Sequence, residues 1–386
     1  MLVSILGYQN LAVSAVGSRI ISEKCLVCGG DDLKPASWQP QYFVTSDALA
    51  SDFTPVLLVC DECGAIQKDL SPSYIAWTKN LYQNYRVRQL SDQTGVSDAS
   101  PPLKIHARED SILRLVKNII RPDHTNLLEV GFGNGSLLRR IKNEFPSLVL
   151  AGLEVSDGHR NTLERLGINF IHGEIGSLKK TFDIVIVNNV LEHACDPLDF
   201  LLACGRCLGL GGRLIIALPN VKCATYDVII ADHVIHTNAQ HVAFLAQKAQ
   251  FSTLFLDDQT IPDQTLVALE LTMDPGAPDL PFQPRTNENQ VIKKIEHKLQ
   301  NVNEEFVVFG STIAACWAAR YLKEKLLFLI DEDETRVGLI VEGKEVRAPE
   351  DVLPHQKILF LGHKDSLASI RLRLNISERL MHIDDL

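Results

Sequence analysis

The chain has 386 residues, 46% of them hydrophobic, and 38 Lys and Arg against 48 Asp and Glu give a formal net charge of -10. That length is too great for one ordinary core and predicts two or three domains, globular throughout. The acidic balance and the lack of a long basic run argue against nucleic acid as the main substrate, because phosphate binding needs clustered Lys and Arg, so a small molecule is the expected partner.

The first stretch, MLVSILGYQNLAVSAVG, is apolar but lacks a basic start and is broken by Gln9, Asn10 and serines, so it does not read as a signal peptide. No later stretch reaches about 18 uninterrupted apolar residues, and a cytoplasmic protein that does not span a membrane is expected. Cys25-x-x-Cys28-Gly29 and Cys60-x-x-Cys63-Gly64 then form two matching knuckles, in which the glycine lets the backbone fold back on the thiolates. Four thiolates suit one tetrahedral Zn2+ in a closed, structural site, with disulfides or unpaired core thiols as the alternative. The long gap between the knuckles predicts a hairpin or loop over 41–59. Cys204-x-x-Cys207 has no partner pair and falls in a predicted helix; core packing is the reading there, as for Cys195, Cys223 and Cys316. After the knuckles, SPSYIAWTKNLYQNYRVRQLS is helix-prone, with Tyr74, Trp77, Tyr82 and Tyr85 spaced to share faces, and SDQTGVSDASPP is a polar loop. Such rings dock a helix on its neighbour, or stack on a ligand from a lid.

The stretch NLLEVGFGNGSLLRR, 126–140, reads as a buried strand, a turn with Gly131, Gly133 and Gly135 alternating, and a helix start. Glycine allows positive φ and close approach of a ligand to backbone N–H groups at the helix N-terminus. The third glycine comes one residue too early for the dinucleotide fingerprint, and Glu129 at the strand end would repel a pyrophosphate but help to hold a cation. S-adenosylmethionine is such a cation. The next strand ends in Glu154, about 20 residues on, where a carboxylate can accept both ribose hydroxyls. An ordinary glycine-rich turn is the plainer alternative.

Phe182 to Asn189 is a near-continuous apolar strand of the parallel, doubly covered kind. Glu129-x-Gly131-x-Gly133-x-Gly135, Phe182-Asp183, Val190-Leu191-Glu192-His193, Asp196-Pro197, Gly211-Gly212 and Pro219-Asn220 together resemble the signature of class I S-adenosylmethionine-dependent methyltransferases. The resemblance implies that Gly131, Gly133, Gly135, Glu154 and Asn188 or Asn189 line the cofactor, with His193 close by on the following turn. His193 is either a catalytic group or a residue that caps or packs the next helix.

After Pro219-Asn220, TYDVIIADHVIHTNAQHVAFLAQKAQF places Asp232, His233, His236 and His241 on the side that such a fold opens to substrate. A histidine takes a proton near neutral pH and an adjacent carboxylate orients it; three histidines also suit a second metal. The knuckles, this core and a third unit together resemble the nucleotide-sugar C-methyltransferases. Tyr226-Asp227 and Asp232-His233 fall on that family's tyrosine-aspartate and glutamate-histidine positions, which implies His233 as base with Asp232 beside it. Ile230 stands where the family has a tyrosine, and Asp263-Gln264-Thr265 where it has a His-Gly-Gly turn, which leaves C-, O- and N-methylation open.

From Asn287 the chain starts again: a charged helix to Gln300, a strand to Phe309, Gly310, a helix, a strand ending at Asp331, a hairpin, and a third strand from Lys357 to Leu361. This small Rossmann-like unit is similar to the C-terminal domain of the same sugar methyltransferases, which implies a hold on the nucleotide end of the substrate; packing or dimerisation is the alternative. The expected organisation is a zinc-binding domain over 1–70, a helical linker or lid over 71–110, an α/β methyltransferase domain over 111–283 and a Rossmann-like accessory domain over 284–386. The expected function is methyl transfer from S-adenosylmethionine to a nucleotide-linked sugar. The rivals are an NAD-dependent sugar epimerase or dehydrogenase, which the glycine spacing and Glu129 disfavour, and a non-catalytic scaffold that keeps the cofactor pocket.

Overall fold

In the computed structural model the two cysteine knuckles have the same backbone geometry. Gly29 and Gly64 take φ of 82° and 76°, and their N–H groups donate to the carbonyls of Cys25 and Cys60, each at 2.9 Å. The residues described are 22–83, 103–261, 263–276, 289–374 and 379–386. The opening apolar stretch, Tyr85 and the polar loop after it lie outside them. Among the described residues no helix is long and apolar enough to cross a membrane.

The knuckles frame an antiparallel sheet of β1 (Leu33–Pro35), β2 (Leu57–Cys60) and β3 (Ile66–Lys68). Helix α1 (Pro72–Gln83) follows, and its Tyr74 and Trp77 stack with Phe53, so those two rings dock the helix. After α2 (Leu103–Ile119) comes the central unit: β4 (Asn126–Val130), α3 (Ser136–Glu144), β5 (Val149–Glu154), α4 (Arg160–Arg165), β6 (Asn169–His172), β7 (Phe182–Asn188), α5 (Pro197–Arg206) and β8 (Leu208–Pro219). It ends with β9 (Ile235–His236), α6 (Ala239–Lys248), β10 (Phe251–Asp257) and β11 (Gln264–Leu271). All its strands but β9 form one seven-stranded sheet in the order β10-β11-β8-β7-β4-β5-β6, parallel except for β11, which runs against both neighbours. The chain builds outward from β4 to β6, then crosses back to β7. A ligand crevice forms at the carboxyl ends of the strands flanking such a reversal.

Several sequence signals have a structural cause. Asp183 opens β7 by accepting from the N–H groups of Thr125 at 2.6 Å and Asn126 at 3.0 Å, which ties β7 to the start of β4. Asp196 caps α5 through the Asp199 N–H, with Pro197 behind it in the first turn. At the start of β8, a Cβ on Gly212 would meet the Gly209 carbonyl at 2.8 Å.

The last unit contains α7 (Asn289–Gln300), β12 (Phe306–Phe309), α8 (Ile313–Leu322), β13 (Leu326–Ile330), β14 (Ile340–Val341), β15 (Lys344–Arg347), β16 (Ile358–Phe360), α9 (Ser366–Leu374) and β17 (Leu380–His382). The strand order is β14-β15-β13-β12-β16-β17, parallel apart from the β14–β15 hairpin, which turns through Glu342 and Gly343 at positive φ.

The three units share cores. One cluster joins Trp38, Phe43 and Leu57 of the first unit to Val228 and Ile229 of the central one and to Ile292, Trp317 and Leu322 of the last. Strand β9 adds a fourth strand to the N-terminal sheet by pairing with β3. Buried Glu296 of α7 accepts from Trp38 Nε1 at 2.6 Å, the Gln41 N–H at 2.9 Å and the Tyr321 hydroxyl at 2.5 Å. Glu296→Ala leaves buried donors unpaired on two units and is expected to cost about 2–4 kcal/mol. Urea denaturation, read as a lower midpoint at unchanged slope, checks it.

Candidate active site

The end of β4 turns through Gly131, Gly133 and Gly135 at φ of 65°, 56° and 76°. These left-handed values need glycine, and space demands it at Gly131, where a Cβ would meet Val190 Cγ2 at 2.4 Å. Glu129 is buried below the turn, with Oε2 unpartnered among the described residues. Burial and the Glu109 charge push its pKa well up against the pull of Arg108. Glu154, at the end of β5, faces the turn: its carboxylate accepts from the N–H groups of Val155, Gly133 and Ser156, although burial raises its pKa. At the end of β7, Asn188 and Asn189 each keep an unpartnered buried Oδ1, and Asn189 is held at φ 54°. Orphaned acceptors and acidic side chains around an open glycine turn fit a cationic, hydroxyl-bearing ligand such as S-adenosylmethionine. Glu154→Ala is expected to weaken S-adenosylhomocysteine binding by about 10- to 150-fold, the worth of one or two charge-assisted hydrogen bonds, measured by calorimetry.

The loop after β7 carries Glu192 and His193, and the segment between β8 and α6 carries Asp227, Asp232, His233 and His236. Asp227 bridges two histidines, accepting from His233 Nδ1 and His236 Nδ1, each at 2.6 Å. Burial opposes charge on both rings. For His233 the Asp227 bond and charge, with Glu192 and Asp232, outweigh burial and lift its pKa above the ordinary value. For His236 burial wins and the pKa falls to about 4. Asp227 is held low by the two histidines in spite of its burial. A carboxylate only accepts, so the Asp227 bond puts the proton on His233 Nδ1 and leaves Nε2 as the basic nitrogen of the neutral ring.

Two expectations are corrected here. The carboxylate on the His233 ring is Asp227, not Asp232. Asp232 is fully buried and accepts from the Ser46 N–H at 2.8 Å, the Ser46 hydroxyl at 2.6 Å and the Tyr82 hydroxyl at 3.2 Å. His236 is fully buried on the far oxygen of Asp227 and does not line the cleft, so its contact is with that carboxylate and not with the cleft wall. Asp232 stands inside the turn that the His233 N–H closes on the Ile230 carbonyl at 3.3 Å, and its carboxylate faces Ser46 and Tyr82 instead of the neighbouring ring. His193 Nδ1 lies 2.7 Å from the Tyr82 oxygen and 3.0 Å from the Asp232 carbonyl; burial and the facing His233 lower its pKa to about 4.

These groups open on a cleft of about 610 Å³ between the central and last units. Asn189, Glu192, His193, Asp227 and His233 line one side, and Thr312, Gly362, His363, Lys364 and His382 the other. Two hydrogen bonds cross between the units here, His363 Nε2 to Asp263 at 2.5 Å and the Tyr226 hydroxyl to the Leu361 carbonyl at 2.7 Å.

The four knuckle thiols lie within 4.8 Å of one another, with Cys25 to Cys63 and Cys28 to Cys60 both at 3.6 Å. A tetrahedral ion with bonds of about 2.3 Å needs edges of about 3.8 Å, so the set fits zinc. The Gly30 N–H donates to Cys28 Sγ at 3.3 Å, and His241 Nε2 to the Cys63 carbonyl at 2.9 Å. His241 thus braces a knuckle away from the other histidines.

The sequence profile described as "Methyltransferase domain" matches residues 104–259. This segment is an S-adenosylmethionine-dependent methyltransferase domain of the class I fold. The chain is 26% identical over 143 residues to the ubiquinone biosynthesis O-methyltransferase of Parvibaculum lavamentivorans, covering 34% of this chain and 56% of that protein. It is 23% identical over 155 residues to the trans-aconitate 2-methyltransferase of Acidovorax sp. (strain JS42), covering 37% and 60%. The chain therefore spans less than two thirds of these relatives, and both matches are of a size with the methyltransferase domain alone. The solved structure described as PigF with SAH is 18% identical, covering 52% of this chain and 71% of that one at a TM-score of 0.37.

Around the methyltransferase domain, the sequence gives Asp227 and Glu192 within quoted motifs but no role for either. Asp227 had a legible signal, a carboxylate six and nine residues before two histidines. Ser46, which reaches the domain from the gap between the knuckles, and Arg108, whose charge acts on Glu129 and Glu192, had none.

Proposed function

We propose that the protein moves the methyl group of S-adenosylmethionine to a small acceptor, a nucleotide-linked sugar, held in the cleft between the methyltransferase domain and the last unit. The observation that carries this reading is His233, oriented by Asp227 at 2.6 Å and lining the cleft beside Asn189, Glu192 and His193 at the end of the cofactor strand. Glu129, Glu154 and the two asparagines would hold the donor, which supplies an electrophilic methyl on a sulfonium. His233 takes the acceptor proton through Nε2, and Asp227 keeps the ring in the required tautomer. The cleft volume suits a nucleotide sugar. Lys364 and the N-terminus of α8 at Thr312 favour an anionic group at its far side. The four thiolates would hold a structural zinc, and nine cysteines without a disulfide support a reducing, cytoplasmic setting.

The test is mass spectrometry of a panel of nucleotide sugars incubated with enzyme and S-adenosylmethionine, with a gain of one methyl group expected. Binding of S-adenosylhomocysteine with no acceptor modified would favour the scaffold reading, and binding of NAD instead would favour the oxidoreductase.

A further inference from the structure

Glu192 stands apart from the other buried acids that face His233. It is 1% exposed and neither carboxyl oxygen has a partner among the described residues, yet the residue lines the cleft. Asp227 is claimed by two histidines, and Asp232 by Ser46 and Tyr82. The backbone fixes Glu192 against the catalytic segment, its carbonyl accepting from the Val234 N–H at 2.7 Å. A buried carboxyl left unpaired is costly, so a partner has to come from what fills the cleft.

The geometry says which ligand that is. A carboxyl oxygen of Glu192 lies within 4.8 Å of a ring nitrogen of His233 and of His193, without ion-pair contact to either. Glu192 and His233 both line the cleft, so one small ligand can meet the His233 ring and the Glu192 carboxyl together. Burial raises the Glu192 pKa to about 7 against the pull of His233 and Arg108, so the group holds a proton through part of the neutral range.

We propose that Glu192, as a neutral carboxylic acid, donates a hydrogen bond to an acceptor oxygen bonded next to the atom that receives the methyl group. This rests on His233 as the proton acceptor. In the step, His233 Nε2 takes a proton from the acceptor atom and the electron pair left there forms the bond to the methyl carbon. The carbon–sulfur pair stays on sulfur, which becomes a neutral thioether. Glu192 keeps its proton and donates to the adjacent oxygen, steadying negative charge there when it is a carbonyl conjugated with the acceptor carbon and orienting the acceptor when it is a hydroxyl. The acceptor class follows: a sugar with a carbonyl or hydroxyl oxygen at that adjacent position, which the corresponding deoxy sugar lacks.

Infrared difference spectroscopy of the whole chain tests the protonation. At neutral pH the wild type should show the C=O band of a protonated carboxyl that E192Q lacks, and nucleoside-diphosphate hexoses in keto or hydroxy form should shift the band while the deoxy form does not. No band lost in E192Q, or no shift with any oxygenated hexose, overturns the proposal whether or not methyl transfer occurs. If none of these hexoses is methylated, the reading in the preceding subsection fails separately. With an accepted hexose, E192Q, which retains an N–H donor, should keep turnover within about tenfold of wild type, while E192A should lose about 100- to 1,000-fold in kcat. S-adenosylhomocysteine binding to both variants controls for folding. Equal loss in E192Q and E192A, or wild-type turnover in E192A, overturns it.

Discussion

Replacing His233 with alanine is expected to lower kcat for methyl transfer by about 100- to 10,000-fold, the usual share of a general base, while S-adenosylhomocysteine binding stays intact. The pH dependence carries more information than the loss. The base must be neutral to act, and the Asp227 charge holds the His233 pKa above the ordinary imidazole value, so kcat/KM should rise with pH through an acid limb with its midpoint above about 6.5 and fall again as Glu192 loses its proton. In Asp227→Asn the charge that favours the imidazolium is gone and burial remains. The midpoint should then move to lower pH while the plateau falls, because the tautomer is no longer enforced. A rate profile recorded from pH 5 to 9 on both proteins checks this. An acid limb that stays in place in Asp227→Asn would exclude His233 as the titrating base.

Loss of one knuckle thiolate, as in Cys60→Ser, should be at least as damaging, although no cysteine meets the cleft. The catalytic segment is held largely by the N-terminal unit. Strand β3 pairs with β9, the Lys68 N–H donates to the Val234 carbonyl at 2.8 Å and its Nζ to the Val228 carbonyl at 2.6 Å, and Ser46 holds Asp232. The Tyr74 hydroxyl and the Ala231 N–H add bonds to the Ala231 carbonyl at 2.9 Å and from Ala231 to the Val44 carbonyl at 2.7 Å. Cys60 ends β2 and Cys63 stands just before β3, so an ion on the thiolates sets the strand that sets His233. Metal removal by a strong chelator, or Cys60→Ser, is expected to cost several kcal/mol of stability and to abolish methyl transfer in parallel with zinc content. Full turnover in metal-free protein would show that the knuckles hold together without an ion.

The parts of the fold legible in the sequence were those with a local cause. The alternating glycines, the Asp196-Pro197 cap and the hairpin around Gly343 each answer to backbone chemistry within a few residues, and each stands where its signal places it. What the sequence hides is contact at long range. Ser46 and Asp232 are 186 residues apart, Trp38 and Glu296 258, and no periodicity encodes either pairing. The choice between Asp227 and Asp232 as the partner of His233 failed for a related reason. Adjacency in sequence suggests a pair, but the turn from Ile230 to His233 gives the Asp232 carboxylate to Ser46 and Tyr82, and the short turn at Asp227–Ile229 brings the more distant carboxylate to the ring. Strand β17 was also missed, because three residues at a sheet edge carry too little pattern to stand out.

The buried cluster that runs from Trp38 and Phe43 through Val228 and Ile229 to Trp317 bears on how acceptor preference could be exchanged between related chains. A chimera cut in the stretch before α7 would separate the accessory unit from the aromatic surface made for it, and would strip Glu296 of two of its donors. A graft that keeps its seams watertight has to carry 36–51 and 221–231 along with everything after 289. On the proposed function, substrate choice would be inherited as a set of three discontinuous pieces.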